Sequence, residues 1–255
     1  MIIDSHAHYD DEAFDLDREA LLMSLQGGGI EKVINVGADI EGSRASIALS
    51  EKYPFIYAAV GVHPSEVSEL DEEKMHWLKE ASSHEKVVAI GEIGLDYHYQ
   101  ETDKQLQKKW FLAQLQLAKE VKKPVIIHSR DAALDTITLM READAVQIPG
   151  VIHCYSYTKE SARDYLELGY YFGIGGVLTF SNAKKLKEAV AYIPMDRILL
   201  ETDSPYLSPV PNRGKRNSSL NLPYVVAEMA AIKGISEEEV IRITTENTKR
   251  LFRIS

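Results

Sequence analysis

Six side chains able to hold a metal ion sit where apolar runs end along the chain. The stretch IIDSHAH opens it with His6 and His8 two positions apart, so both rings project from one face of a strand. Glu92 follows in AIGEIGLD, His128 in PVIIHSR, His153 in GVIHCYS and Asp203 in LLETDSPYL. Singly, each has a plain explanation: a histidine after a strand is more often packing, and an aspartate before Ser-Pro more often starts a turn. Recurrence at the ends of five runs favours a shared site. Four imidazoles and two carboxylates exceed the needs of one four-coordinate ion and suit two divalent ions joined by a carboxylate, with Glu92 the candidate bridge. Such a pair lowers the pKa of a bound water, and Asp203 would orient that water and take its proton. The histidines suit Zn, Mn, Fe, Co or Ni better than Mg.

Strand parity extends the set. Asp4 lies two before His6 and Glu201 two before Asp203, so each shares its partner's face and could accept a hydrogen bond from a ligating imidazole. An ordinary polar strand start is the alternative for Asp4. For Glu201 the site is favoured, because an unpaired interior carboxylate is costly. Cys154 follows His153 and is expected on the other face as a packed thiol. His76, His84 and His98 lie in polar helical or loop contexts and are expected on the surface.

The elements that must position these residues are short Val- and Ile-rich runs at 2–6, 32–37, 56–62, 87–93, 124–128, 150–154, 170–176 and 197–203. Mostly unbroken by polar residues, they read as strands covered on both faces. Between them lie helical segments. Leu106, Trp110, Ala113, Leu117 and Val121 form one apolar stripe that Pro124 ends, and Ser236 with Glu239 forms a capping box. Eight strands alternating with helices at this length predict a single (β/α)8 TIM barrel, one domain over residues 1–255, with the C-terminal strand ends meeting at one mouth.

Composition narrows the function classes. The chain is 45% hydrophobic and 27% charged, with 29 Lys and Arg against 39 Asp and Glu, a net charge of -10. Nucleic acid would therefore have to be held locally rather than by overall positive potential. One cysteine excludes an intramolecular disulfide, and Asp4 interrupts the first apolar run. A cytoplasmic protein with no membrane span and no obligate protein partner is expected.

The motifs SHAH, GVHP, GEIGLDYH, PVIIHSRDA, IHCYS and ETDSPYL, in this order over essentially the whole chain, resemble the TatD family of metal-dependent hydrolases. The resemblance implies an amidohydrolase-like barrel, a one- or two-metal site usually associated with Mg, and nuclease activity, including 3′-to-5′ exonucleases on single-stranded DNA or RNA. The family's ligands match His6, His8, Glu92, His128, His153 and Asp203; Glu92 stands where related enzymes carry a carbamylated lysine. His63 matches a family position that would contact phosphate or leaving group. Likeness to the family's RGKRN segment, beside the mouth, favours substrate binding by Arg213, Lys215 and Arg216, with Arg130 a further candidate. Tyr97, Tyr99 and Tyr206 could stack on bases, and Gly175-Gly176 is expected to form a turn. The expected function is metal-dependent phosphodiester hydrolysis at 3′ ends of DNA or RNA with two divalent ions, Mg, Mn, Zn or similar. The alternative is an amidase, lactonase or aminoacyl-ester deacylase on the same barrel. A non-catalytic binding module would not need Asp203 as a proton acceptor.

Overall fold

Val- and Ile-rich runs covered on both faces become parallel strands, as they do in a computed structural model that describes residues 1–98 and 103–255. The strands are β1 (Ile2–Ala7), β2 (Ile30–Val36), β3 (Ile56–Val60), β4 (Val87–Asp96), β5 (Val125–Arg130), β6 (Gly150–Ile152), β7 (Tyr171–Ile174) and β8 (Ile198–Leu200). Each strand pairs in parallel with the next in sequence. A bridge between Ala7 and Ser204 spans the seam between β1 and the end of β8. The sheet is thus a nearly closed barrel, as the alternation of strands and helices predicts. The helices among the described residues are α1 (Arg18–Leu25), α2 (Ile40–Lys52), α3 (Glu72–Ala81), α4 (Lys104–Val121), α5 (Ala133–Glu142), α6 (Lys159–Glu167), α7 (Lys184–Tyr192), α8 (Leu222–Lys233) and α9 (Glu237–Phe252). Ser236 caps α9 by accepting from the Glu239 N–H at 3.2 Å, as the capping box predicts.

Every strand contributes to one interior apolar layer, through Ile3, Ile34, Ala59, Val88, Ile126, Val151, Tyr171 and Leu199. Leu251, Phe252 and Ile254 join that layer from the end of α9. Phe252 and Ile254 lie beside Tyr57, Val87 and Pro124, near the strand starts. Apolar side chains therefore plug the N-terminal end of the barrel, leaving the C-terminal mouth to the polar residues. A second layer, including Val33, Phe111, Leu115 and Met229, joins sheet to helices. None of the described helices is long and apolar enough to cross a membrane.

Three local differences from the sequence expectation matter for the site. β4 continues to Asp96, so Glu92 lies inside a strand rather than at its end. β6 and β8 stop at Ile152 and Leu200, so His153 and Asp203 stand in the loops beyond. In α4, Leu106, Ala113 and Val121 of the expected stripe are only partly buried, whereas Gln107 and Gln114 are buried beside Phe111, Leu115 and Ala118. Glutamines occupy part of the inner face, so apolar periodicity alone rotates the helix away from its true orientation.

Candidate metal centre

β1 carries His6 and His8 to the mouth with their Nε2 atoms 3.0 Å apart. His8 donates its Nδ1–H to the Val36 carbonyl at 2.7 Å, which leaves the Nε2 lone pair facing the site. His6 Nε2 lies 3.4 Å from Glu92 Oε2, and His8 Nε2 lies 3.4 Å from Asp203 Oδ1. The other oxygen of Glu92 addresses a different pair, with Oε1 2.8 Å from His128 Nδ1 and 3.5 Å from His153 Nε2. One carboxylate thus faces two sets of nitrogens from its two oxygens. Donors held about 2.1 Å from a common ion in tetrahedral or octahedral array are separated by about 3.0–3.4 Å. The separations and the N/O donor types fit divalent cations.

The supporting contacts are equally specific. Asp96 Oδ2 is 2.9 Å from His128 Nε2, which turns Nδ1 toward Glu92. Sequence reading passed over Asp96; its even spacing from Glu92 along one strand was the available signal. Glu201 Oε1 lies 3.0 Å from His153 Nδ1, off the line of a straight hydrogen bond, and accepts the Cys154 N–H at 2.6 Å. Asp203 adopts a left-handed backbone, φ 56°, and so does Cys154, φ 46°. That conformation breaks the alternation expected after His153: the Cys154 sulfur falls with donor atoms of His153 and Asp203 inside a 4.8 Å group instead of on the opposite face. Burial first, then the carboxylates of Asp203, Glu201 and Glu92, push this thiol upward and keep it neutral.

Asp4 differs from expectation as well. Its carboxylate takes no hydrogen bond from an imidazole. It accepts from the His6 N–H at 3.3 Å, the Thr202 N–H at 3.0 Å, the Thr202 hydroxyl at 2.7 Å and the Ser219 hydroxyl at 2.6 Å. A register irregularity between Asp4 and Ala7 interrupts the parity that would have put Asp4 on the face of His6. Burial pushes its carboxyl up to about 7.

The carboxylates draw positive charge into the cluster. Burial opposes protonation of His153, but Glu201, Glu92 and Asp203 outweigh it and push the ring up to about 10. His8 is pushed up to about 9 in the same way, by Asp203 and Glu92 against burial. Burial also opposes ionisation of Glu92, yet His153 and His6 hold it well below the usual carboxylate range. A field that binds protons this tightly also favours a divalent cation. His6 and His153 are buried, while His8, His128 and Asp203 keep 12%, 16% and 18% of their side-chain surface, so the cluster opens toward the mouth on that side.

A pocket of about 550 Å³ stands over the cluster, lined also by Asp10, His63, Arg130 and Tyr206. Ser65 meets His63 Nδ1 with its hydroxyl at 2.7 Å and its backbone N–H at 3.2 Å, which leaves Nε2 directed into the site, 3.9 Å from Glu92. Burial and the neighbouring His128 push His63 down to about 3, which keeps it neutral. The basic loop divides. Arg213 is exposed and stacks on Phe180 at 4.3 Å, and Lys215 lines a second cleft of about 800 Å³ that shares Asp11 and Tyr206 with the pocket. Arg216 instead forms a fork with Asp17 at 2.7 and 2.6 Å and donates to the Ala13 carbonyl at 2.7 Å. Arg216 lines the same cleft as Lys215, with its guanidinium engaged by this internal fork.

Of the tyrosines, Tyr206 is half exposed at the junction of pocket and cleft, its hydroxyl on Asp11 at 2.6 Å. Tyr97 is turned away, its hydroxyl on Asp135 and its ring under Lys104. Tyr99 lies outside the described residues. His76, His84 and His98 face solvent beside Glu80, Glu51 and Asp131. Gly176 opens a short 3-10 turn rather than a simple reverse turn, and a Cβ there would meet the Leu207 carbonyl at 2.0 Å.

Comparison with known proteins shows the family and the fold. Residues 3–253 match the family described as TatD related DNase. The uncharacterized metal-dependent hydrolase YabD of Bacillus subtilis is 46% identical over the full length of both chains. Its counterpart YcfH of Escherichia coli K12 is 37% identical, over 100% of this chain and 96% of its own. The crystal structure of YjjV, a TatD homolog from Escherichia coli K12, superposes with a TM-score of 0.94 at 31% identity, covering 100% of this chain and 98% of the other.

Proposed function

The chain belongs to the TatD-related DNase family of metal-dependent hydrolases, and from that premise we propose that it hydrolyses phosphodiester bonds of single-stranded DNA or RNA from the 3′ end. One divalent cation would be held by His6, His8 and Asp203 and a second by His128 and His153, with Glu92 between them. Bound there, Mg, Mn, Zn or a similar ion would supply Lewis acidity and a water of lowered pKa.

The chain's own groups complete the chemistry. Asp203 is kept ionised by His153, His8 and His6 against the cost of burial, so it can take a proton from the attacking water as the new P–O bond forms. His63, held neutral, presents Nε2 to the pocket, where it would contact a phosphoryl or leaving oxygen. Arg130, at the end of β5, lines the pocket on the same side. The leaving 3′ oxygen takes its proton from solvent water, and the shortened strand withdraws along the cleft toward Lys215 and Arg213.

One observation carries the reading: the pocket over the cluster adjoins, at Asp11 and Tyr206, a larger cleft edged by a basic loop, which suits a polymer better than a small molecule. The same cleft presents Asp11, Glu12 and Asp15, which favours a second reading, an ester or amide hydrolase acting on a less anionic substrate. Digestion of 3′- and 5′-labelled single strands of DNA and RNA, metal by metal and beside Asp203→Asn, separates the two. Progressive loss from the 3′ end supports the nuclease. Intact strands with every cation, together with turnover of a carboxylic ester, would replace it with the second reading. The site requires no second subunit for its donors, and a cytoplasmic setting is part of the proposal.

A further inference from the structure

We infer that α4 positions the mouth through two buried glutamines, Gln107 setting His128 by way of Asp96 and Gln114 setting His63 by way of Val62. Seven residues apart, they share one helix face and are 1% and 0% exposed. Gln107 accepts the Asp96 N–H on its amide oxygen at 2.9 Å and donates its amide to the Asp96 carbonyl at 2.9 Å. Gln114 treats Val62 in the same way, accepting the N–H at 2.8 Å and donating to the carbonyl at 3.1 Å. Each side-chain amide thus pairs with both backbone groups of one residue, as a neighbouring strand would.

A buried amide costs stability unless its polar atoms are satisfied, and an apolar residue would pack this face without that demand. What the pairs secure is placement. Val62 lies beyond the end of β3, and His63 follows it directly. Asp96 is the last residue of β4, and its carboxylate is the partner of His128 Nε2. Asp96 also takes the His98 N–H at 2.9 Å on its other oxygen, so neither its backbone nor its carboxylate can swing. One rigid helix therefore sets the ring that faces Glu92 and the ring that faces substrate.

This inference rests on His128 as an ion-holding residue and His63 as a substrate contact. The test uses the full chain with Gln107→Met and Gln114→Met, which remove both bonds at similar volume. Manganese titrated without substrate reports the first arm, and KM for an oligonucleotide reports the second. Gln107→Met should weaken manganese binding about tenfold, the lower end of what partners of metal-ligating residues contribute. Gln114→Met should leave manganese binding unchanged and raise KM several-fold. Equal losses in both variants, in step with thermal midpoint, would reduce the glutamines to ordinary packing and overturn the inference; so would unchanged values in both. Should either Met variant fail to fold, the Gln→Glu pair keeps the acceptor and loses the donor, and the same split in smaller measure is required. The manganese arm needs no substrate, so a parent protein inert toward oligonucleotides would sink the nuclease reading while leaving this test standing.

Discussion

Gly173 and Glu201 share one space: the Cβ that Gly173 lacks would lie 1.9 Å from Glu201 Oε2. β7 therefore makes room for the carboxylate that meets His153 and the Cys154 N–H. Gly173→Ala should displace Glu201, cost about 1–3 kcal/mol of stability through overpacking, and weaken metal binding about 10–100-fold through His153. Thermal melts and manganese titration check it. A melt and an affinity like the parent's would mean that Glu201 does not orient His153.

Asp203→Asn tests the proton acceptor without disturbing the backbone. At φ 56° asparagine is at least as well accommodated as aspartate. The variant should fold and retain much of its metal, yet lose turnover by about 10²–10⁴-fold. Retained turnover would remove Asp203 from the chemistry.

Protons and cations compete for the cluster. His8 and His153 titrate at about 9 and about 10, above the roughly 6.5 of a free histidine. Their protonation stabilises the chelated fold fully below about pH 6.5, and that stabilisation is lost as pH rises through 9 and 10. Calorimetry in chelator should show the melting temperature falling over this window. Manganese affinity should rise over the same interval, because binding must release those protons. A chelated protein that grows more stable with pH would contradict the charge balance described for the cluster.

The basic loop should behave as two parts. Arg213→Ala with Lys215→Ala should weaken single-strand binding and flatten its salt dependence by about 0.7 in slope per lost phosphate contact. Arg216→Ala should instead loosen the contact with Asp17 and Ala13, lowering stability modestly with the slope unchanged. Binding measured across a salt series distinguishes them, and a slope that moves with Arg216 alone would reverse the assignment.

The barrel and the convergence at its mouth were legible because both are written in period and type: apolar runs set the strands, and metal-capable residues recur at five of their ends. What escaped was carried by backbone irregularity and by polar residues used structurally. Parity misplaced Asp4 because β1 shifts register between Asp4 and Ala7. It misplaced Cys154 because that residue turns left-handed. Gln107 and Gln114 counted as polar in the helix pattern, though both lie inside. Arg216 read like its neighbours in RGKRN, and only the fold brings Asp17 to it across two hundred positions.

The Asp4 junction has a consequence for the order in which the chain becomes competent. His6 and His8 leave the ribosome among the first residues, but the groups that tie Asp4 beside them, Thr202 and Ser219, come from the far side of the barrel seam. Asp203 and Glu201 arrive with Thr202. A nascent polypeptide thus carries two of its six donors from early in synthesis and completes the set only when its last quarter folds back onto its first strand. The full donor set therefore exists only where the end of β8 meets β1 across the seam.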